Sequence, residues 1–310
     1  VSTLTAEEED GSRVSIKTTE EILQTILEVE GMTTIYDSLD KFTSMETIEG
    51  YETAKGHKTL ANKIGFFHKS PPVLSFQLKR SLFNSKTHVD YKLHSRFFFP
   101  DQLHLNRYLD INRERTLALR KRAQGFADEI AVLNGKLHEF KKYSGPSEYR
   151  IDHCFDAVLN YYRQNKSDLR EVLELLQMEK NNIEFNISRL EENITDLRNQ
   201  SDHLFDEFSN DPYHLHAVLV HSGPTPRGGH YYTFIKTHLP NGEVRWFKFN
   251  DNEITPVSFE DVCSSSFGSD DSHSSAYCLI YIHNRLVEAR KPHDIESVNI
   301  ELRQHVEILN

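Results

Sequence analysis

Apolar and polar residues alternate along three segments in the last third of the chain. The segments are 215–221, 231–237 and 244–249, and alternation with a period of two is typical of a β-strand with one buried face. Pro240-Asn241-Gly242 separates the last two segments, and Asn-Gly is a strong signal for a hairpin turn. The pattern therefore predicts an antiparallel hairpin that closes near Gly242.

Similar but shorter patterns occur on both sides of this region. They predict one short helix at 35–42 and further strands at 73–78, 96–99, 253–257 and 277–282. Two polar segments, residues 1–13 and 264–275, lack such a pattern and are expected to be mobile. Thr18-Thr19-Glu20-Glu21 fits either a helix start or a turn before a strand.

The period changes to three and four residues in the middle of the chain. Apolar positions with this spacing predict helices at 116–140, 151–162 and 173–208. The first and third segments fit heptads, so residues 113–209 are predicted to be a coiled-coil-like helical hairpin inserted between two β segments. The spacing leaves open whether the arms pack on each other or whether part of the seam faces another chain.

The predicted hairpin brings three polar side chains together at its open end. His230 lies at the start of one strand, and Asn250 and Asp251 lie at the end of the other. A histidine beside a carboxamide or carboxylate is the base and orienting pair of a Cys-His-Asn/Asp hydrolase. The competing interpretation is a hydrogen-bonded strand end with no catalytic role.

Composition and charge argue against two classes of partner, nucleic acids and membranes. The chain has 310 residues and a net charge of −11, which argues against nucleic acid as a partner. It has no run of 18 apolar residues, so no membrane span and no membrane partner are expected. Its start has no methionine and no charged-then-apolar leader, and we expect it to lie within a longer protein.

The cysteine count also limits the chemistry. Three cysteines in a chain of this length predict a reducing, intracellular environment, cytoplasmic or nuclear, without a disulfide framework. Three dispersed cysteines do not form a paired Cys-x-x-Cys zinc site, and the histidines show no metal-binding spacing. We therefore expect no bound metal and no cofactor.

Five sequence motifs, in this order along the chain, resemble those of the ubiquitin-specific protease family. They are PPVLSFQLKR (71–80), HAVLVHSG (216–223), GGHYYTFIK (228–236), WFKFND (246–251) and AYCLIYI (276–282). The resemblance implies an α+β fold with a papain-like cysteine protease palm built on an antiparallel sheet. It also implies that His230 is the general base, that Asn250 orients it, and that Asp251 assists.

The same resemblance implies ubiquitin and ubiquitinated proteins as substrates. His221, Gly228, Gly229 and Tyr231 are then expected to line the channel for the Gly-Gly tail of ubiquitin. Some family members carry a helical insertion that forms a homodimer, so residues 113–209 are a candidate dimer interface.

The resemblance divides the chain into four parts. Residues 1–112 correspond to the β part of the fingers and palm, and residues 113–209 to the helical insertion. Residues 210–285 correspond to the palm with the histidine motif, and residues 286–310 to a carboxyl-terminal extension. A last helix or a trailing segment is expected in that extension.

The chain departs from the family at two points. Ser81 stands where the family usually has phenylalanine, and the cysteine motif that supplies the nucleophile is absent. Cys154, Cys263 and Cys278 do not occupy the expected helix amino terminus.

Two explanations follow from the missing motif. The chain is either the carboxyl-terminal part of a protease whose cysteine lies on a complementing segment, or a family member without one. The alternative functions are a non-catalytic ubiquitin-binding and dimerisation module, or a coiled-coil scaffold with an unrelated β domain.

Overall fold

Strands occupy both ends of the chain and long helices fill its middle. The computed structural model describes residues 1–142, 151–165, 170–239, 242–269 and 273–289. Within them the strands are β1 (Ser2–Glu7), β2 (Arg13–Thr18), β3 (Thr25–Glu28), β4 (Met45–Glu52), β5 (Lys58–Gly65), β6 (Val73–Lys79), β7 (Ser81–Asn84), β8 (Val89–Lys92), β9 (Gln102–Leu103), β10 (Tyr213–Thr225), β11 (Gly228–His238), β12 (Val244–Asn250), β13 (Glu253–Val257) and β14 (Ser274–His283). The α-helices are α1 (Ile35–Phe42), α2 (Arg113–Lys141), α3 (Ile151–Asn165), α4 (Arg170–Asp202), α5 (Phe259–Ser266) and α6 (Asn284–Ala289).

The largest sheet carries most of the buried core. Its strand order is β13-β12-β11-β10-β14-β6-β3, with β9 paired to the start of β10. Every pairing is antiparallel except that of β3 with β6. Strand β14 lies between β10 and β6, as its continuous apolar sequence predicts. The antiparallel sheet together with helices confirms the predicted α+β class.

Two smaller sheets complete the β structure. One has the order β2-β1-β5-β4, and the other is the β7-β8 hairpin. Strand β1 falls in residues 1–13, which we expected to be mobile, so that prediction is wrong. Pairing with β2 on one side and β5 on the other satisfies the β1 backbone on both edges, and this outweighs the polar composition.

Helix α1 forms where the amphipathic pattern predicts it. Thr34 and Asp37 form a capping box at its start, and Ile35 and Leu39 are buried in the core. The helix start considered at Thr18-Glu21 is absent, because residues 25–28 form β3 instead. At α1 both the capping residues and the apolar spacing indicate a helix. At 18–21 only the capping pattern does.

The aromatic segment 96–99 is not a strand of any sheet. Phe98 makes one isolated bridge to Thr34, while Phe97 and Phe99 are buried in the core. The ladder of backbone hydrogen bonds that defines a strand does not form here, so the predicted strand is wrong.

Residues 114–207 form one compact unit, and the other described residues form a second. In the helical unit α3 packs on α4, and Leu159 of α3 and Ile187 of α4 are buried. Lys180 of α4 donates to Asp156 of α3 at 2.7 Å. Lys141 at the end of α2 forms an ion pair with Glu191 of α4. The helices confirm the predicted period of three to four residues, while coiled-coil pairing and the four predicted divisions stay predictions.

Two predicted boundaries are wrong. Helix α4 ends at Asp202, not 208, although Leu204 and Phe208 continue the apolar spacing and are buried. In the serine-rich segment 264–275, residues 264–266 belong to α5, because a capping box at Ser258 and Asp261 stabilises that helix. Residues 143–150 and 166–169, which separate the predicted helices, lie outside the described residues. None of the described helices combines the length and apolarity needed to cross a bilayer.

Candidate active site

The hairpin of β11 and β12 brings His230 next to Asn250. The ladder runs from His238↔Val244 to Thr233↔Phe249, and the first residues of β11 and the last residue of β12 extend beyond it. His230 Nε2 lies 2.5 Å from Oδ1 of Asn250. The predicted proximity is therefore present, and the loop that closes the hairpin includes Asn241, which is outside the described residues.

Asp251 occupies the tight turn that follows Asn250. Its φ of 51° is left-handed, and Asn250 pairs with Glu253 across the turn. Its Oδ2 lies 3.8 Å from His230 Nε2, longer than a hydrogen bond. Asn250 is thus the direct partner of the imidazole, and Asp251 is a nearby negative charge.

The hydrogen bond to Asn250 determines which nitrogen of His230 can act as a base. An amide oxygen only accepts hydrogen bonds, so Nε2–H of His230 donates to Oδ1. In the neutral ring Nδ1 then carries the free lone pair. The side chain is about half exposed, at 48%. The arrangement can therefore accept a proton from an incoming thiol through Nδ1.

The segment before His230 is a tightly packed loop, which we call the glycine loop (residues 221–230). A Cβ on Gly223 would lie 2.2 Å from the carbonyl oxygen of Gly228. A Cβ on Gly229 would lie 2.5 Å from both His221 Nε2 and the Ser222 carbonyl oxygen, and Gly229 has a φ of 155°. Glycine is required here because the loop folds onto itself.

His221 does not line an open channel. It is 1% exposed and lies beneath Gly229, with its ring centroid 4.7 Å from Tyr231 and 5.0 Å from Tyr277. The expectation of direct contact between His221 and a bound peptide is therefore corrected: the ring supports the loop from below. Gly228, Gly229 and Tyr231 are exposed, and their role in binding stays a prediction.

Lys92 of β8 lies buried under the glycine loop. Its Nζ donates to the carbonyl oxygens of His221 at 2.9 Å, Gly223 at 3.1 Å and His273 at 2.6 Å, and lies 3.1 Å from His221 Nδ1. Burial, and then the charges of Lys92 and His94, lower the pKa of His221, so this ring is neutral at neutral pH.

Arg80 is a second buried cation close to this region. Its guanidinium donates to four backbone carbonyls, those of Leu93, Ser95, Phe267 and Ala276. No role for Lys92 or Arg80 was predicted from the sequence. Arg80 ends the motif PPVLSFQLKR, and this position could have indicated its importance. An isolated lysine in a four-residue strand gives no such indication.

Neither of the two cysteines in the unit that carries His230 contacts this histidine. Cys278 of β14 pairs with Leu219 on one side of β10, whereas His230 pairs with Ser222 on the other side. Two strand spacings alone separate them by about 10 Å. Cys278 contacts Ser75, with Sγ 3.8 Å from Oγ.

The other two cysteines are no better placed. Burial, and then Asp101 and Glu260, raise the pKa of the Cys263 thiol, which disfavours thiolate. Cys154 lies in α3 of the helical unit. In the described part of the chain, no three His, Cys, Asp or Glu side chains converge as metal ligands would.

Comparison with known proteins adds an independent finding. The family model described as "Ubiquitin carboxyl-terminal hydrolase" matches residues 9–281. The chain is 24% identical to ubiquitin carboxyl-terminal hydrolase 28 of Gallus gallus, over 71% of this chain and 29% of that protein. It is 25% identical to ubiquitin carboxyl-terminal hydrolase 2 of Saccharomyces cerevisiae, over 80% of this chain and 19% of that protein. The chain thus spans less than a third of either relative.

Proposed function

The chain belongs to the ubiquitin carboxyl-terminal hydrolase family, and we propose that it supplies the base of a thiol-dependent ubiquitin hydrolase. The observation that carries this proposal is the hydrogen bond from His230 to Asn250. The nucleophilic cysteine is proposed to lie outside this chain, because Cys154, Cys263 and Cys278 do not meet His230. We call this chain together with the Cys-bearing segment the active assembly.

The proposed reaction proceeds by two acyl transfers. His230 Nδ1 takes the thiol proton, and the thiolate attacks the carbonyl carbon of the last ubiquitin residue. The tetrahedral intermediate collapses, the imidazolium gives its proton to the leaving lysine amine, and a thioester remains. Water, deprotonated by His230, then hydrolyses the thioester and returns the thiol.

Asn250 and Asp251 are proposed to have different roles. The neutral carboxamide of Asn250 fixes the ring tautomer, which allows a thiolate–imidazolium pair to form opposite it. Asp251, 3.8 Å away and largely exposed, is proposed to place a negative charge beside this pair. Gly228, Gly229 and Tyr231 are proposed to contact the ubiquitin tail, since all three are exposed and flank His230.

An electrophilic ubiquitin probe tests where the nucleophile lies. Ubiquitin with a carboxyl-terminal vinyl sulfone is expected to label the active assembly at a cysteine outside this chain, located by mass spectrometry of the adduct. The Cys263→Ser and Cys278→Ser variants should label at the wild-type rate. An adduct on Cys154, Cys263 or Cys278 would contradict the proposed location. Ubiquitin binding without any adduct would favour the non-catalytic binding module.

The helical unit is proposed to form a homodimer. Helix α4 exposes Val172, Leu175, Met178 and Phe185, with exposed fractions of 45–68%. At 3.6 residues per turn they fall within about 140° of the helix circumference. They therefore share one face of the helix with Glu179, Asn182 and Asn186, and we propose that a second copy of this chain covers this face.

Charge placed on this face tests the dimer. The double variant Leu175→Glu/Phe185→Glu is expected to sediment as a monomer at concentrations of about 50 μM, where the wild-type chain sediments as a dimer. Val132→Glu is the control, because Val132 is equally exposed on α2 but lies outside the face. A wild-type chain that is already monomeric at this concentration would show that the face does not pair.

A further inference from the structure

We propose that Lys92 is a positioning residue, which holds the glycine loop and thereby His230 in the geometry needed for proton transfer. This inference rests on the proposed function of His230. Lys92 lies on β8, in a separate two-stranded sheet, and does not touch His230 itself. Its effect therefore passes through the residues that it contacts.

The first step is that the Lys92 ammonium group donates hydrogen bonds to three carbonyl oxygens. Two of them, from His221 and Gly223, belong to the glycine loop, and the third, from His273, directly precedes β14. An ammonium has three N–H donors, so the three carbonyls match its capacity. Lys92 thus ties the glycine loop to the start of the neighbouring strand.

The second step runs from these anchored residues to His230. The Gly223 backbone packs against Gly228, and the His221 ring packs against Gly229. Neither Gly223 nor Gly229 has room for a Cβ. His230 follows Gly229 directly. Because the loop is packed at both points, a displacement of Gly223 or His221 moves the backbone that carries the imidazole.

The third step concerns the charge of Lys92. The side chain is 5% exposed, and no carboxylate contacts its Nζ among the described residues. Burial, and then the nearby Arg80, lower the pKa of Lys92 to about 8. Burying a cation without a counter-ion costs stability, so stability alone does not explain a lysine at this position. What it supplies is a fixed orientation of three carbonyl groups.

A second contact from the same strand reaches the other end of the glycine loop. Arg227 forms an ion pair with Asp90, at 2.9 Å from Nε to Oδ2. Arg227 is 85% exposed, so this pair contributes little by itself. It does show that β8 contacts the loop at its turn as well as before it, with Lys92 making the buried contact.

Replacing Lys92 with methionine tests the proposal in the active assembly. Lys92→Met is expected to lower kcat for a ubiquitin carboxyl-terminal amide by about tenfold or more, and to leave KM within about twofold. A misplaced base slows the chemical step, whereas the glycine loop contributes only contacts to the ubiquitin tail and the rest of the surface that binds ubiquitin is unchanged. Hydrogen exchange measured by mass spectrometry over residues 221–230 should accelerate in the same variant.

Lys236→Met is the matched control. Lys236 lies on β11, the strand that carries His230, but its Nζ pairs with Asp101 and does not touch the glycine loop. The same substitution there should leave kcat and the exchange of residues 221–230 at wild-type values. If Lys92→Met does not fold at the assay temperature, Lys92→Gln is measured against the same criteria.

The outcomes separate this inference from the function on which it rests. Equal kcat in Lys92→Met and wild type, with His230→Ala inactive, would overturn the positioning role and leave the base assignment intact. Equal losses of kcat in Lys92→Met and Lys236→Met would overturn it as well, because the effect would then be general. An active His230→Ala would remove the proposed function and this inference together.

Discussion

Replacing His230 with alanine in the active assembly is expected to lower kcat/KM for a ubiquitin carboxyl-terminal amide by about a thousandfold or more. The variant has no group that can take the thiol proton or return it to the leaving amine. Steady-state hydrolysis of a fluorogenic ubiquitin amide measures the loss. Calorimetric titration with ubiquitin should give an unchanged affinity, because one partly exposed side chain contributes little to a protein–protein interface.

Variants at the two neighbouring residues serve as graded controls. Asn250→Ala removes the direct hydrogen bond and is expected to lower kcat by about 10- to 100-fold. Asp251→Ala should lower it by less than about tenfold, because Asp251 lies beyond hydrogen-bond distance of the ring. A His230→Ala enzyme with wild-type turnover, or an Asp251→Ala loss larger than that of Asn250→Ala, would contradict the assigned roles.

Replacing Arg80 with methionine is expected to lower the free energy of unfolding by about 3 kcal/mol. Methionine fills similar space, but it leaves four buried carbonyl oxygens without the donors that Arg80 provides. The loss of the charge offsets part of this effect, since burial lowers the pKa of Arg80 to about 10 and so disfavours the cation. Equilibrium unfolding in urea, followed by circular dichroism, measures the difference.

Arg96→Met provides the comparison for this change. Arg96 is exposed and stacks on Phe98, with its guanidinium carbon 4.9 Å from the ring centroid. Its replacement should change the free energy of unfolding by less than about 0.5 kcal/mol. An Arg80→Met chain as stable as Arg96→Met would mean that water or a backbone shift satisfies the four carbonyls.

The hairpin and its polar pair could be predicted because the information is local. A two-residue period on each side of Asn241-Gly242 fixes the direction of the strands, and the pairing places residue 230 near residue 250 whichever turn forms. Cross-strand pairs such as Ile235↔Phe247 then hold the register. The bond between His230 and Asn250 follows from these features alone.

Lys92 and His221, which support the glycine loop from below, could not be predicted from local sequence patterns. Lysine is rarely buried, so nothing in the sequence Val-Asp-Tyr-Lys indicates that Lys92 lies under the glycine loop. His221 was expected at an exposed surface because the family resemblance places it in the channel for the ubiquitin tail. Its burial depends on Gly229 folding back over the ring, a contact across the turn of the glycine loop that no periodicity encodes.

Errors in the fold have a similar origin. Residues 1–13 are polar in composition, yet β1 is stabilised on both sides by strands that come later in the chain. The segment 96–99 is rich in aromatic residues, which strands favour, but finds no continuous partner. In both cases the neighbouring strand decides the outcome, and the sequence of the segment itself does not contain that neighbour.

The pairing of β9 with β10 has a consequence for how the sheet assembles. Leu103 and Tyr213 are direct partners although they are roughly 110 residues apart, with the helical unit between them. Closing a loop of this length costs only about 2 kcal/mol more in chain entropy than closing a loop of ten residues. Helices fold through local contacts, so early formation of α2 to α4 shortens the flexible chain that has to close. The helical segment can therefore lengthen or shorten in evolution with little thermodynamic effect on the strand that leads to His230.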